Sequence, residues 1–404
     1  MGCATGSGPV APAAGATPGR VRPGIEVLLG DSMSLVRNRR IGLVTNQSGV
    51  DGKGVRDIDR LVSSGFKVTA LFAPEHGLRG SIDVDVAPER RQETDSATGT
   101  PVYLLHDGVR LHPPTAAMLA EVDVLVVDLQ DAGARYYTYP ATVALIMEAA
   151  AAARLPVVVL DRPNPIGGAV QGEVQDSVTG SAVARFPIAM RHGMTIGELA
   201  RLANAVLHLG ADLHVVPVGG WRRSMAFDAT GLPFVPPSLN LRTLESLYHY
   251  PGLCLFEGTN LSVGRGSEAP FEQVGAPWID TTAVLSALHR APPPGVTFSP
   301  VAFTPRAPGD GKYSDTLVAG VRLTITDRAA YDPTVTAVYL LSAIRATHST
   351  AFAFRPAQFD RLAGGPDLRT ALERGVPVTA IAAAWRDALT RFKDRRRPFL
   401  LYGE

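Results

Sequence analysis

Between residues 40 and 165 the chain alternates short apolar runs with longer segments of helical spacing. RIGLVT (40–45), KVTALF (67–72), VDVLVVD (122–128) and LPVVVLD (155–161) are near-continuous apolar runs, the pattern of strands buried on both faces. IDRLVSSG, TAAMLAEV and ATVALIMEAAAAAR lie between them and are long enough to cross over between parallel neighbours. This predicts an α/β fold with a doubly wound parallel sheet.

After RHGMTIGELARLANAVLHLG, where Thr195 and Glu198 predict a capping box, the pattern changes. LHVVPV, the alternating TLVAGVRLTITD and the helical stretches TVTAVYLLSAIRATHS and VTAIAAAWRDALTRFKDRRR predict a second, smaller α/β unit of α+β character. The expected division is a leader at 1–24, a sheet domain at 25–211 and an auxiliary domain at 212–404.

Composition narrows the function. A hydrophobic content of 46% over 404 residues supports a large core, and 39 basic against 38 acidic side chains give a net charge of +1. That balance gives no general attraction for nucleic acid, so charged ligands must be held locally. Two cysteines, Cys3 and Cys254, exclude a disulfide framework and a cysteine-rich zinc site. The leader is rich in Gly, Ala and Pro, and its Gly-Cys start has the form of a mature bacterial lipoprotein with Cys3 lipidated. The expected location is therefore periplasmic or cell-surface; an incidental cysteine in a cytoplasmic protein is the alternative.

All four apolar runs end in polar clusters: TNQSG, APEHG, DLQDAGARYYTY and LDRPNPIGG. In an open parallel sheet, ligands bind beyond the carboxyl ends of the strands. Asn46, Glu75, His76, Gln130, Asp131, Arg135, Asp161 and Asn164 are therefore candidate neighbours on one rim. No GxGxxG follows the first strand, no Walker loop occurs, and HExxH and GxSxG are absent, so no cofactor and no metal is expected.

Glu75, between Pro74 and His76 at a strand end, is the candidate general acid, because partial enclosure by apolar groups would raise its pKa. The structural alternative is an ion pair with Arg79 or Arg135. Glu257, read as a second strand-end acid after LCLF, supplies a possible partner carboxylate for cleaving a glycosidic bond. Asp131, Glu268 and Glu272 compete for that role, and His76 is a candidate tuner of Glu75. Arg135 with Tyr136 and Tyr137, Arg191 with His192, and Arg265 with Asn260 and Glu268 in the glycine-rich loop suit an anionic sugar, through planar pairing to a carboxylate and ring stacking.

The stretches GLVTNQSGVD, LFAPEHGLRG, DVLVVDLQDAGARYYTY, VLDRPNPIGG, RHGMTIGELARL, GWRRSMAFDATGLPFVPPS, CLFEGTNLSVGRG, PFEQVGAPWID and FDRLAG, in this order, resemble the exo-beta-N-acetylmuramidase family of peptidoglycan-recycling proteins. The resemblance implies a Rossmann-like N-terminal domain without nucleotide, a smaller C-terminal domain and an active site between them. It implies release of N-acetylmuramic acid from non-reducing ends, with the glutamate of PEHG, here Glu75, as the catalytic acid. The lactyl carboxylate of muramic acid gives the arginines a target. Attack on the anomeric carbon by a protein carboxylate and by the substrate's 2-acetamido group are both compatible with the residues. Other readings are a cell-wall-binding lipoprotein without catalysis, and a glycosidase of another N-acetylated or anionic sugar. The family's PPSPNMPT becomes PPSLNLRT at 236–243, with Leu239 replacing a proline and Arg242 added.

Overall fold

The structure, a computed structural model, describes residues 20–81, 92–107, 110–175, 183 and 185–403. Cys3 and most of the expected leader lie outside these residues. The strands in chain order are β1 (Arg40–Thr45), β2 (Lys67–Ala73), β3 (Gln92–Thr94), β4 (Pro101–Leu104), β5 (Val124–Asp128), β6 (Val157–Leu160), β7 (Gln171–Val174), β8 (Ala189–Arg191), β9 (Leu213–Val216), β10 (Gln273–Ala276), β11 (Val296–Phe303) and β12 (Val318–Ile325).

Seven of them form one sheet in the order β3-β4-β2-β1-β5-β6-β9, parallel except at the β3 edge. The chain winds outward from β1 through β2 to β4, then crosses to β5 and winds the other way. Alternation within β5 shows why both faces are covered. Val124 and Val126 pack with Ile41, Leu43, Leu71 and Val158, while Leu125 and Val127 join the opposite core with Phe72, Val157 and Val159. The expected doubly wound α/β sheet is present.

The boundary expected at 211/212 is corrected by β9. Leu213–Val216 pairs in parallel with β6, so this stretch completes the first sheet instead of opening the second unit. The second unit contains the antiparallel sheet β10-β12-β11 and the helices Leu244–Leu253, Thr281–His289 and Pro333–Thr347. Its apolar side chains merge with one face of the first sheet in a single core that runs from Val44 to Phe392.

Both ends of the described chain are tied to the first unit. Arg22 N–H donates to Gly219 O at 2.8 Å, so ordered structure begins ahead of the expected Ile25. Tyr402 donates its hydroxyl to Asp161 Oδ2 at 2.6 Å, and Leu401 N–H donates to Glu198 Oε1 at 2.8 Å. The predicted capping box at Thr195 is formed: Thr195 Oγ1 accepts from Glu198 N–H, and Thr195 N–H donates to Glu198 Oε2. VTAIAAAWRDALTRFKDRRR forms two helices, Val378–Ala384 and Arg386–Arg396, which meet at Trp385.

Candidate active site

A cavity of about 300 Å³ opens between the rim of the first sheet and the second unit, lined by Glu75, His76, Tyr136, Tyr137 and Thr138 from one side. Tyr250, Cys254, Glu257, Arg265, Phe271, Gln358 and Arg361 line it from the other.

The local sequence explains the position of Glu75. β2 ends at Ala73, and a Gly77 N–H···O=C Pro74 bond of 3.1 Å closes a turn immediately beyond it. His76 at φ 72° and Gly77 at φ 74° both take the left-handed conformation, which turns the chain sharply behind Glu75. Glycine adopts this geometry freely, whereas for His76 it is a local strain. Gly80, at φ 64°, takes the same left-handed conformation.

Thr138 is the N-cap residue of the helix Tyr139–Ala153, but its hydroxyl does not cap that helix. It donates instead to Glu75 Oε2 at 2.6 Å. The adjoining tyrosines brace the loop at 236–238. Tyr137 and Tyr139 donate to Pro237 O at 2.8 and 3.1 Å, while Asn46 Nδ2 donates to the Tyr139 oxygen. Arg79 donates to Ser96 and Arg135 to backbone carbonyls, so neither forms the ion pair with Glu75 weighed from sequence.

Among the described residues three carboxyl groups line the cavity: Glu75, Glu257 and Asp310. Glu257 Oε1 accepts from Arg265 Nε at 2.6 Å, and its other oxygen faces Cys254 Sγ at 3.7 Å. Burial opposes the Arg265 charge, but Glu257 outweighs it and holds the guanidinium above its ordinary value. Asp310 lies 3.7 Å from Lys312, whose ammonium donates to Phe256 O, Glu257 O and Leu261 O and fixes the backbone under Glu257. Glu75 alone of the three carries no ion pair among the described residues. Of the two lining arginines, Arg361 carries none among the described residues.

Glu257 is not at a strand end. LCLF spans the last residue of the helix Leu244–Leu253 and the 3-10 turn Cys254–Gly258 that continues it; a short apolar run fits a buried helical turn as well as a strand.

Several other candidates do meet at the rim, but they lock each other and do not line the cavity. Asn46 Oδ1 accepts from Ser48, and Gln130 donates to Asp131 O and Pro163 O. Buried Asp131 accepts from Gly133 N–H and lies 3.2 Å from His192 Nε2, while His192 Nδ1 accepts from Met194 N–H. Asp161 is enclosed by donors from Thr195, Gly197, Arg162 and Tyr402, and burial still pushes its pKa up to about 7. Asn164 bridges Ile166 N–H and Met194 O.

Arg135 is fully buried, donating to Glu173 O and Leu362 O, and acts as a strut below the cavity. Arg191 donates to Gln171 and Ile166 elsewhere in the molecule. Asn260 spans Ala351 O and Ala353 N–H, and Glu268 is exposed outside the lining. Glu272 accepts from Thr243.

Thr138, Tyr250, Cys254, Gln358 and Arg361 were not singled out in sequence. Thr138 had a local signal, a threonine directly before Tyr-Pro at a helix start. Arg361 lies in FDRLAG, close to Gln358 but far along the chain from the strand-end clusters, so only the tertiary fold brings it to the cavity.

The comparisons agree along the chain. A model described as exo-beta-N-acetylmuramidase NamZ, N-terminal, matches residues 41–245, and its C-terminal counterpart matches residues 248–402. The chain is 42% identical over 386 residues to the peptidoglycan beta-N-acetylmuramidase NamZ of Bacillus subtilis (strain 168), covering 95% of this chain and 92% of that protein. Crystal structures of two DUF1343 family proteins of Bacteroides fragilis superpose with TM-scores of 0.85 and 0.77 at 31% and 32% identity, each covering 95% of this chain and 99% of its own.

Proposed function

The chain belongs to the exo-beta-N-acetylmuramidase family, and from that premise we propose that its cavity binds the terminal N-acetylmuramic acid of a peptidoglycan fragment and that Glu75 protonates the departing glycosidic oxygen. The enzyme is a glycoside hydrolase, acting from the non-reducing end.

One observation carries the assignment of the proton donor. A group that delivers a proton must exchange it freely, and Glu75 is the lining carboxyl that is not held by a cation among the described residues. Thr138 fixes its rotamer through Oε2 and leaves Oε1 to reach the substrate. Glu257, gripped by Arg265, is better suited to shape and charge than to proton delivery. Facing the oxocarbenium-like transition state, its negative charge would favour the developing positive charge on the sugar.

Substrate recognition follows from the rest of the lining. Arg361, at the rim and without an ion pair among the described residues, suits the lactyl carboxylate that distinguishes muramic acid from glucosamine. The buried Tyr136 hydroxyl, which meets no hydrogen-bond partner among the described residues, is placed to serve a sugar hydroxyl or acetamido group. Arg242, new relative to the family pattern, donates to Leu239 O at 2.9 Å and Ser267 O at 3.2 Å, joining the loop beside Glu75 to the glycine-rich loop.

Glu75→Gln keeps the shape and the Thr138 contact but carries no transferable proton. It is expected to abolish release of N-acetylmuramic acid from a chromogenic glycoside while the melting temperature stays unchanged; full activity in this variant would sink the assignment. Export with a lipid on Cys3 is part of the same reading, on the strength of the Gly-Cys start. Fatty-acid labelling lost in Cys3→Ser tests it, and an unlabelled wild-type protein in its native host overturns it.

A further inference from the structure

A second concavity, of about 560 Å³, lies away from the cleft. Residues from three of the stretches that carry the family resemblance converge on it: the two glycines of PNPIGG, Arg191 of RHG and Arg223 of GWRRS. The helix Leu244–Leu253 separates the two hollows, Tyr250 lining the catalytic cleft and Tyr248 the second site.

The lining of this hollow is one-sided in charge. Among the described residues it contains Arg191, Arg223, Arg328, Lys393 and Arg396 and no carboxylate. Glu198 pairs with Arg223 from behind, and Asp228 accepts from Arg328 at 2.8 Å, which leaves positive charge in excess. The Tyr248 ring has the Arg191 guanidinium at 5.6 Å and that of Arg328 at 5.0 Å from its centroid.

Arg191 is the decisive residue. Its side chain is buried, with a relative exposure of 4%, yet its contacts are the Gln171 side-chain oxygen, Ile166 O and the Tyr248 ring. No carboxylate pairs with it among the described residues, and its Nε meets no acceptor. Asp332 is a carboxylate that influences it, but Asp332 Oδ1 is spent on the N-terminus of the helix Pro333–Thr347. Burial accordingly lowers its pKa below the ordinary arginine value. A buried guanidinium without a counter-charge is costly, and a bound anion would supply the missing charge.

We propose that this hollow is a second, non-catalytic binding site for an anionic oxygen group, carboxylate or phosphate, held by Arg191, Arg328 and Lys393 beside Tyr248. Its openness admits a group carried on a larger molecule, and the two oxyanions share the planar or tripodal acceptor geometry that arginine forks match.

Isothermal titration of the whole protein with inorganic phosphate and, separately, with glutarate tests this proposal. Saturable 1:1 binding of either probe is expected, and the probe that binds identifies the source chemistry. Arg328→Gln with Lys393→Gln should weaken binding by roughly tenfold or more, while kcat/KM for the chromogenic glycoside stays unchanged. Asp228→Asn, which releases Arg328 from its ion pair, should tighten it. No binding of either probe, or binding indifferent to all three substitutions, overturns the proposal. Because binding is read by calorimetry, the result stands apart from whether the cleft cleaves muramic glycosides.

Discussion

The Thr138 hydroxyl donates to Glu75 Oε2 at 2.6 Å, joining the N-cap of one helix to the loop that follows a neighbouring strand. The bond makes the orientation of the proposed acid depend on a residue that would otherwise cap a helix. Thr138→Val removes the donor at nearly constant volume. Losing this positioning hydrogen bond should lower kcat by about tenfold to a hundredfold. KM should move little, since substrate contacts are untouched. Steady-state kinetics on the chromogenic glycoside check this, and an unchanged kcat would show that Glu75 needs no such positioning.

The Glu257–Arg265 pair is mostly buried, with side-chain exposures of 16% and 21%, so breaking it leaves a charge in a poorly hydrated place. Arg265→Leu should cost about 3 kcal/mol of stability in urea titration. Replacing both members by leucine should restore much of that loss but no activity, because the cleft then lacks the Glu257 carboxylate. If the double replacement were as unstable as the single one, the pair's charges would not be the origin of the loss.

The strands of the central sheet were legible because burial on both faces writes them as unbroken apolar runs, and β1, β2, β5 and β6 coincide with those runs. β3 and β4 were not seen: they are short and mixed, and their place at one edge is set by long-range pairing. LCLF misled for a related reason, since a run of this length has no period of its own. Two of the polar clusters at the strand ends, APEHG and DLQDAGARYYTY, supply residues that line the cavity. Which of their members face the cavity depends on the second unit, and this explains the exchange of Arg135 for Arg361. Arg135 is adjacent to two lining tyrosines in sequence yet points its donors at Glu173 O and Leu362 O.

Arg361 yields a prediction about specificity. Its exposure makes its charge weakly effective in free solution, so the effect of removing it should be moderate and confined to substrates that carry a carboxylate. Arg361→Gln should reduce kcat/KM for the muramic glycoside by roughly five- to tenfold. The rate on the N-acetylglucosamine analogue, which lacks the lactyl group, should stay the same. Equal losses on both substrates would place Arg361 in general cleft architecture instead.

Glu173 sets a pH dependence of stability. Burial raises its pKa from 4.5 to about 7, with Arg135 pulling the other way and Asp367 adding to the rise. Its Oε2 is buried with no hydrogen-bond partner among the described residues. Between the unfolded and folded values the native state holds a proton that the unfolded chain has released. The stability this group contributes is therefore fully present below about pH 4.5 and falls as pH rises toward 7, with a slope of up to about 1.4 kcal/mol per pH unit. Glu173→Gln stays neutral at every pH and should flatten the unfolding free energy over that window. Urea titrations of both proteins at pH 5 and pH 7 give the comparison, and an identical pH dependence in the two would mean that Glu173 titrates alike in the folded and unfolded states.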